Sequence, residues 1–170
     1  MTHPILQEEE SFGDYVVTEL LLSHSGVNTS TPASSSSSPS TRRVFHIQFL
    51  SWPDYGVPLS AGAMLDFLGA ARDLQKRGVE DLEAAWRLAG LEGRAWKGHP
   101  AGPPVVIHCS AGIGRTGTFI ATDISTRRLE DIGTVDIDKT VRRIRTQRAS
   151  SIQVGARFLS ATELIIPGGL

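Results

Sequence analysis

HCSAGIGRTG, residues 108–117, decides the reading of this chain. A cysteine closes an apolar run, an arginine follows six positions later, and small residues and glycines fill the space between them. A loop of this composition turns successive backbone N–H groups inward to form an anion nest, and Gly112 and Gly114 supply the backbone freedom and close approach it needs. The positive end of a following helix adds to that field. Arg115 offers a planar fork that grips two oxygens of a phosphate, which lysine could not match. The field that holds a phosphate dianion also stabilises a thiolate, so Cys109 is expected to be ionised at neutral pH and nucleophilic toward phosphorus. A lone cysteine is more commonly an inert buried hydrophobe; the Gly-x-Gly-Arg context outweighs that reading here. His108 reads as a core histidine that hydrogen-bonds locally. Thr116 is either a first-turn helix residue or a hydroxyl donor to the sulfur.

Outward from the loop, PPVVIHC (103–109) carries the continuous apolar run of a central strand covered on both faces. Residues 79–103 hold no strong period; DLEAAWRLAGL suits a short helix, and GHPAGPP is a connector. In residues 60–78, Ser60 is the N-cap of an amphipathic helix with Met64, Phe67, Leu68, Ala71 and Leu74 on one face, and Gly78 is placed to close it. VFHIQFL (44–50) alternates as a strand before the turn-rich WPDYGVP. Residues 1–42 combine an acidic run, Glu8 to Glu10, with a Ser/Thr/Pro tract at 28–41 that reads as a surface loop or linker. Tyr15 to Thr18 suit one strand. After the loop, helices are expected over about 116–129, 136–145 and 156–165.

At 170 residues and 40% apolar content the chain is long enough for one domain with a real core. Its formal charge of −1, from 17 basic and 18 acidic residues, offers no global attraction to nucleic acid or an anionic membrane. One cysteine excludes an internal disulfide and any cysteine cluster for a metal. The apolar runs fall short of the roughly 20 residues of a membrane-spanning helix, and the acidic N-terminus is unlike a signal peptide. These features predict a cytoplasmic, monomeric protein.

Three stretches together carry a family resemblance. HCSAGIGRTG resembles the phosphate-binding loop of the non-receptor protein tyrosine phosphatases, FLSWPDYGVP (49–58) resembles their mobile acid loop, and RTQRASSIQ (145–153) resembles the segment bearing their water-positioning glutamine. They occur in family order over residues 43–153, and their wording is most similar to the non-receptor type whose full-length form carries a lipid-binding CRAL-TRIO domain. The resemblance implies that phosphotyrosine-containing proteins are the substrates. Cys109 would attack phosphorus, while Arg115 and the backbone of Ser110, Ala111, Gly112, Ile113 and Gly114 hold the phosphate oxygens. Asp54 would protonate the leaving phenolate and then act as base for a water held by Gln153. No metal or cofactor is implied, because amides and one guanidinium handle the charge. Arg145 and Arg148 align with arginines that brace the phosphate loop, whereas Arg142 and Arg143 read as a solvated helix face.

The implied fold is α/β, a twisted mixed sheet flanked by helices with the phosphate-binding loop between a central strand and a helix. The domains are an acidic, Ser-rich segment (1–42), a partial tyrosine-phosphatase catalytic domain (43–166) and a tail (167–170). Several features depart from the family pattern. Asp54 and Cys109 lie 55 positions apart, a long connection. Residues 1–42 do not match the family's substrate-stacking tyrosine loop, so the N-terminal part of the usual domain is expected to be missing. Arg157 occupies the second glutamine position, and Val154 and Gly155 follow Gln153. Two alternatives therefore stand beside an active tyrosine phosphatase. One is a catalytically deficient phosphotyrosine-binding module, and the other is a dual-specificity phosphatase.

Overall fold

The computed structural model describes residues 2–24, 40–53, 56–58, 60–90 and 104–152. It is an α/β arrangement in two compact units, Met1–Leu50 and Ser51–Leu170.

The first unit is an antiparallel sheet of β1 (Thr2–Ser11), β2 (Tyr15–His24) and β3 (Ser40–Phe49), in that spatial order. Gly13, at φ +80°, makes the β1–β2 turn possible, and Phe12 stacks on Tyr15 across it at 5.0 Å. The expected strand at Tyr15 to Thr18 is present and runs further. The acidic run, for which the sequence suggested no strand, belongs to β1. There the exposed Glu8, Glu9 and Glu10 sit opposite Glu19, Thr18 and Val17 of β2, so the acidic run is one outer strand of the sheet. In β3 the predicted alternation holds, with Phe45, Ile47 and Phe49 half-buried and His46 and Gln48 exposed. The Ser-rich tract at 28–39 lies outside the described residues.

The second unit contains α1 (Ala61–Leu88), α2 (Gly114–Ile132) and α3 (Ile137–Gln147). Ser60 caps α1 as its sequence suggests, accepting from the Ala63 N–H at 3.2 Å. Gly78 does not end the helix. It lies within a half-buried stripe, Leu74, Gly78, Leu82 and Trp86, that continues the helical face, and the Leu/Ala/Glu-rich sequence after it outweighs a cost of about 1 kcal/mol for glycine. Helix α2 ends on Gly133 in the left-handed conformation, φ +69°. Asp136 caps α3 through the Lys139 N–H at 2.9 Å. The expected helix at 156–165 falls outside the described residues.

α1 meets α2 through the edge-to-face pair Phe67–Phe119 and through Arg72, which reaches Asp123 at 2.8 Å and Glu130 at 3.0 Å. α3 lays Ile137, Val141 and Ile144, at helical spacing, onto Ala121 of α2 and Ile152. The expected strand at 105–107 is not formed. Among the described residues no strand pairs with it, and Val105 and Val106 are 51% and 84% exposed. An apolar run becomes a strand only where a neighbour completes its hydrogen-bond ladder.

Ile144 anchors this core, so Ile144→Ala should lower unfolding free energy by about 2–5 kcal/mol. Urea denaturation followed by circular dichroism measures it.

Candidate active site

The site is built from the stretch between Cys109 and the first turn of α2. α2 begins at Gly114 with Ile113 as its cap residue, no side chain capping it and no acidic residue in its first turn. The positive end of a 19-residue helix is thus left without a side-chain cap or a first-turn carboxylate. The loop folds back so that the Gly112 N–H donates to Cys109 Sγ at 3.2 Å, and Arg115 Nη2 crosses it to the Ser110 hydroxyl at 3.2 Å.

Cys109 is half-buried, and its pKa is lowered from 9.0 to about 7. Burial pushes the thiol up. The Thr116 hydroxyl and the N–H groups of Thr116, Gly112 and Ile113 push it down and prevail. Thr116 itself is buried, and its Oγ1 has no well-formed hydrogen bond in the resting site. Developing charge on the sulfur gives that hydroxyl its acceptor. The same residue therefore serves as first-turn helix residue and as sulfur partner. His108, expected in the core, is exposed, because the strand that would have buried it is absent.

Two glycines let other parts of the chain close on the loop. Gly112 stands at φ +71°, and a Cβ there would come within 2.7 Å of Arg148 Nη2. The Arg148 guanidinium therefore lies against the loop backbone, as the resemblance led us to expect. Gly117 admits residues 151–152, since its Cβ would meet the Ile152 nitrogen at 2.9 Å. The Ile152 N–H donates to the Ile113 carbonyl at 3.0 Å, which also accepts from Gly117. Arg145 bonds to the chain segment that packs against the loop. Its Nε and Nη2 hold the carbonyls of Ser151 (2.9 Å) and Ile152 (2.8 Å).

Residues 150–152 form a strained strap. Ser150 and Ile152 take φ +63° and +59°, and for a β-branched side chain such a conformation costs about 1–3 kcal/mol. Ile152 is held there by hydrogen bonds at both backbone groups and by complete burial of its side chain. The strap was not readable from the sequence, since neither residue is glycine. Arg142 is exposed and paired with Asp138, and Arg143 is exposed, as expected of a solvated face.

Asp54 and Gln153 lie outside the described residues. Of their flanks, Trp52 is buried and its indole N–H donates to the Gly56 carbonyl at 3.3 Å; Gly56 stands at φ +106°. Val154, Gly155 and Arg157 also lie outside the described residues.

The chain matches the protein-tyrosine phosphatase family over residues 2–167 and belongs to that family. The match takes in residues 2–42, which the motifs alone did not connect to it. Among its relatives, tyrosine-protein phosphatase non-receptor type 9 of Mus musculus is 47% identical over 125 residues, 74% of this chain and 19% of that protein. Tyrosine-protein phosphatase corkscrew of Drosophila melanogaster is 35% identical over 153 residues, 88% of this chain and 15% of that protein. Receptor-type tyrosine-protein phosphatase S of Gallus gallus is 34% identical over 113 residues, 66% of this chain. The chain thus spans a fifth or less of the length of the curated relatives it matches.

Alkylation of Cys109 by iodoacetamide should follow the thiolate, rising with pH to half its maximum near pH 7. Thr116→Val removes the main opposing hydrogen bond and should move that midpoint upward, toward 9. A midpoint unchanged by the substitution would contradict the role assigned to Thr116. Gly112→Ala should weaken tungstate binding measured by calorimetry, because it puts a side chain at φ +71° in the loop and obliges the end of Arg148 to shift.

Proposed function

We propose that the chain is a cytoplasmic, monomeric phosphatase acting on phosphotyrosine-containing proteins through a cysteinyl-phosphate. One observation carries this reading: a half-buried thiol with pKa about 7 lies on inward N–H groups at an uncapped helix N-terminus, in a loop that Arg115 crosses to reach Ser110.

In the first step the Cys109 thiolate attacks phosphorus. The amides of Ser110, Ala111, Gly112, Ile113 and Gly114, with Arg115, hold the equatorial oxygens, whose charge they match best in the transition state. The P–O bond to the substrate breaks, and Asp54 gives its proton to the departing phenolate. In the second step a water held by Gln153 loses its proton to the Asp54 carboxylate and attacks phosphorus. The S–P bond breaks, inorganic phosphate is released, and Thr116 receives the returning thiolate with its hydroxyl. The chain performs these steps with its own side chains and backbone.

Hydrolysis of a small aryl phosphate by the purified chain tests the reading. Cys109→Ser should abolish turnover, and Asp54→Ala should lower it by about 10²–10⁴-fold, the usual contribution of a positioned acid. A folded chain with no turnover that still binds phosphotyrosine peptides would establish the binding module instead.

A further inference from the structure

Two stretches of chain that meet at the Cys109 loop contain no carboxylate. They are residues 104–122, which carry the loop and the start of α2, and residues 139–152, which carry most of α3 and the strap. Their arginines are differently employed. Arg115 crosses the loop to Ser110, Arg145 holds the carbonyls of Ser151 and Ile152, and Arg142 is paired with Asp138. Arg148 stands apart. It is exposed, and among the described residues its guanidinium makes no hydrogen bond or ion pair. Yet it rests on Gly112, whose N–H donates to Cys109 Sγ. Arg148 Nη2 lies 2.7 Å from the Cβ position of Gly112, and the Gly112 nitrogen lies 3.2 Å from the sulfur. With two covalent bonds of about 1.5 Å between them, these contacts place the charge no more than about 9 Å from Sγ.

We infer that Arg148 is an outer counter-charge for the anion held by the Cys109 loop, acting through space across the Gly112 backbone. A brace would spend its planar fork on carbonyls of the loop, as Arg145 does on those of the strap. Arg148 lies against the loop without any such bond, so its charge is left for what the loop binds. A separation of up to about 9 Å is close to the screening length of about 8 Å at physiological salt. The attraction is therefore felt, and it depends on ionic strength. Exposed ion pairs usually contribute little, because two flexible side chains must be ordered to form one. Here the loop fixes one partner, a phosphate dianion with twice the charge, and the guanidinium already rests on Gly112. The missing side chain at Gly112 is what lets it come this close.

This inference rests on the reading of the loop as an anion cradle, and calorimetric titration with the dianion tungstate tests the two separately. At about 0.01 M salt, where the screening length is about 30 Å, Arg148→Met should bind tungstate about threefold to tenfold more weakly than the wild type. At about 1 M salt, where that length falls to about 3 Å, the two should agree within about twofold. Arg148→Lys, which keeps the charge and loses the planar fork, should follow the wild type at both. A methionine variant that binds as tightly as the wild type at low salt would overturn the inference. So would a loss that persists at high salt, or one that lysine does not restore, since either describes a brace. Should Arg148→Met not fold in a thermal melt, Arg148→Gln repeats the measurement. Failure of both to fold makes the residue a structural brace and overturns the inference as well. A wild-type chain that binds no tungstate removes the anion cradle itself, and the role of Arg148 with it.

Discussion

The Ile113 carbonyl accepts two hydrogen bonds, one from the Gly117 N–H and one from the Ile152 N–H, and the site depends on that shared acceptor. The first bond starts α2 and sets the loop's exit. The second ties the C-terminal end of the α3 segment to the same atom. A carbonyl oxygen has two lone pairs, and here both are used, one for helix initiation and one for tertiary closure. Gly117 must lack a side chain for the second bond to form, Ile152 must take an unfavourable φ to make it, and Arg145 must restrain the carbonyl that this φ presents. The loop that carries Cys109 is therefore shaped by residues that never approach the sulfur.

The electrostatics of Cys109 follow from that shape rather than from a neighbouring cation. Burial alone would leave the thiol protonated at neutral pH. The reversal comes from one hydroxyl and three backbone N–H groups, each short-ranged and dependent on geometry. Arg115 meanwhile lies across the loop to Ser110, a placement suited to an anion seated above the thiol.

The loop around Cys109 was legible in the sequence because its shape resides in residue types at fixed local spacing. Cys109, the two loop glycines and Arg115 fall within seven consecutive positions, and the caps Ser60 and Asp136 announce their helices. The parts that were not legible depend on partners distant in the chain. Val105 and Val106 look like a buried strand, yet no ladder forms among the described residues to receive them. Gly78 looks like a stop signal, but the stripe through Leu82 and Trp86 carries the helix past it. β1 was obscured by its three glutamates, which an outer strand accommodates on exposed positions. The left-handed residues Ser150 and Ile152 carry no glycine to signal them, since their conformation is imposed by α2, α3 and Arg145.

α2 is the member common to two interleaved ring closures. The Arg72–Asp123 pair joins positions 51 apart, and the Ile152–Ile113 bond joins another long span that begins inside the first. Closing a chain over such distances carries an entropy cost that grows only logarithmically with length. With α2 formed, both rings have a rigid wall to close against, so each lowers the remaining cost of the other. The helix whose N-terminus receives the Cys109 loop is thus also the wall against which both of these long-range contacts close. Its small, buried residues from Thr118 to Ser125 are under topological as well as chemical constraint.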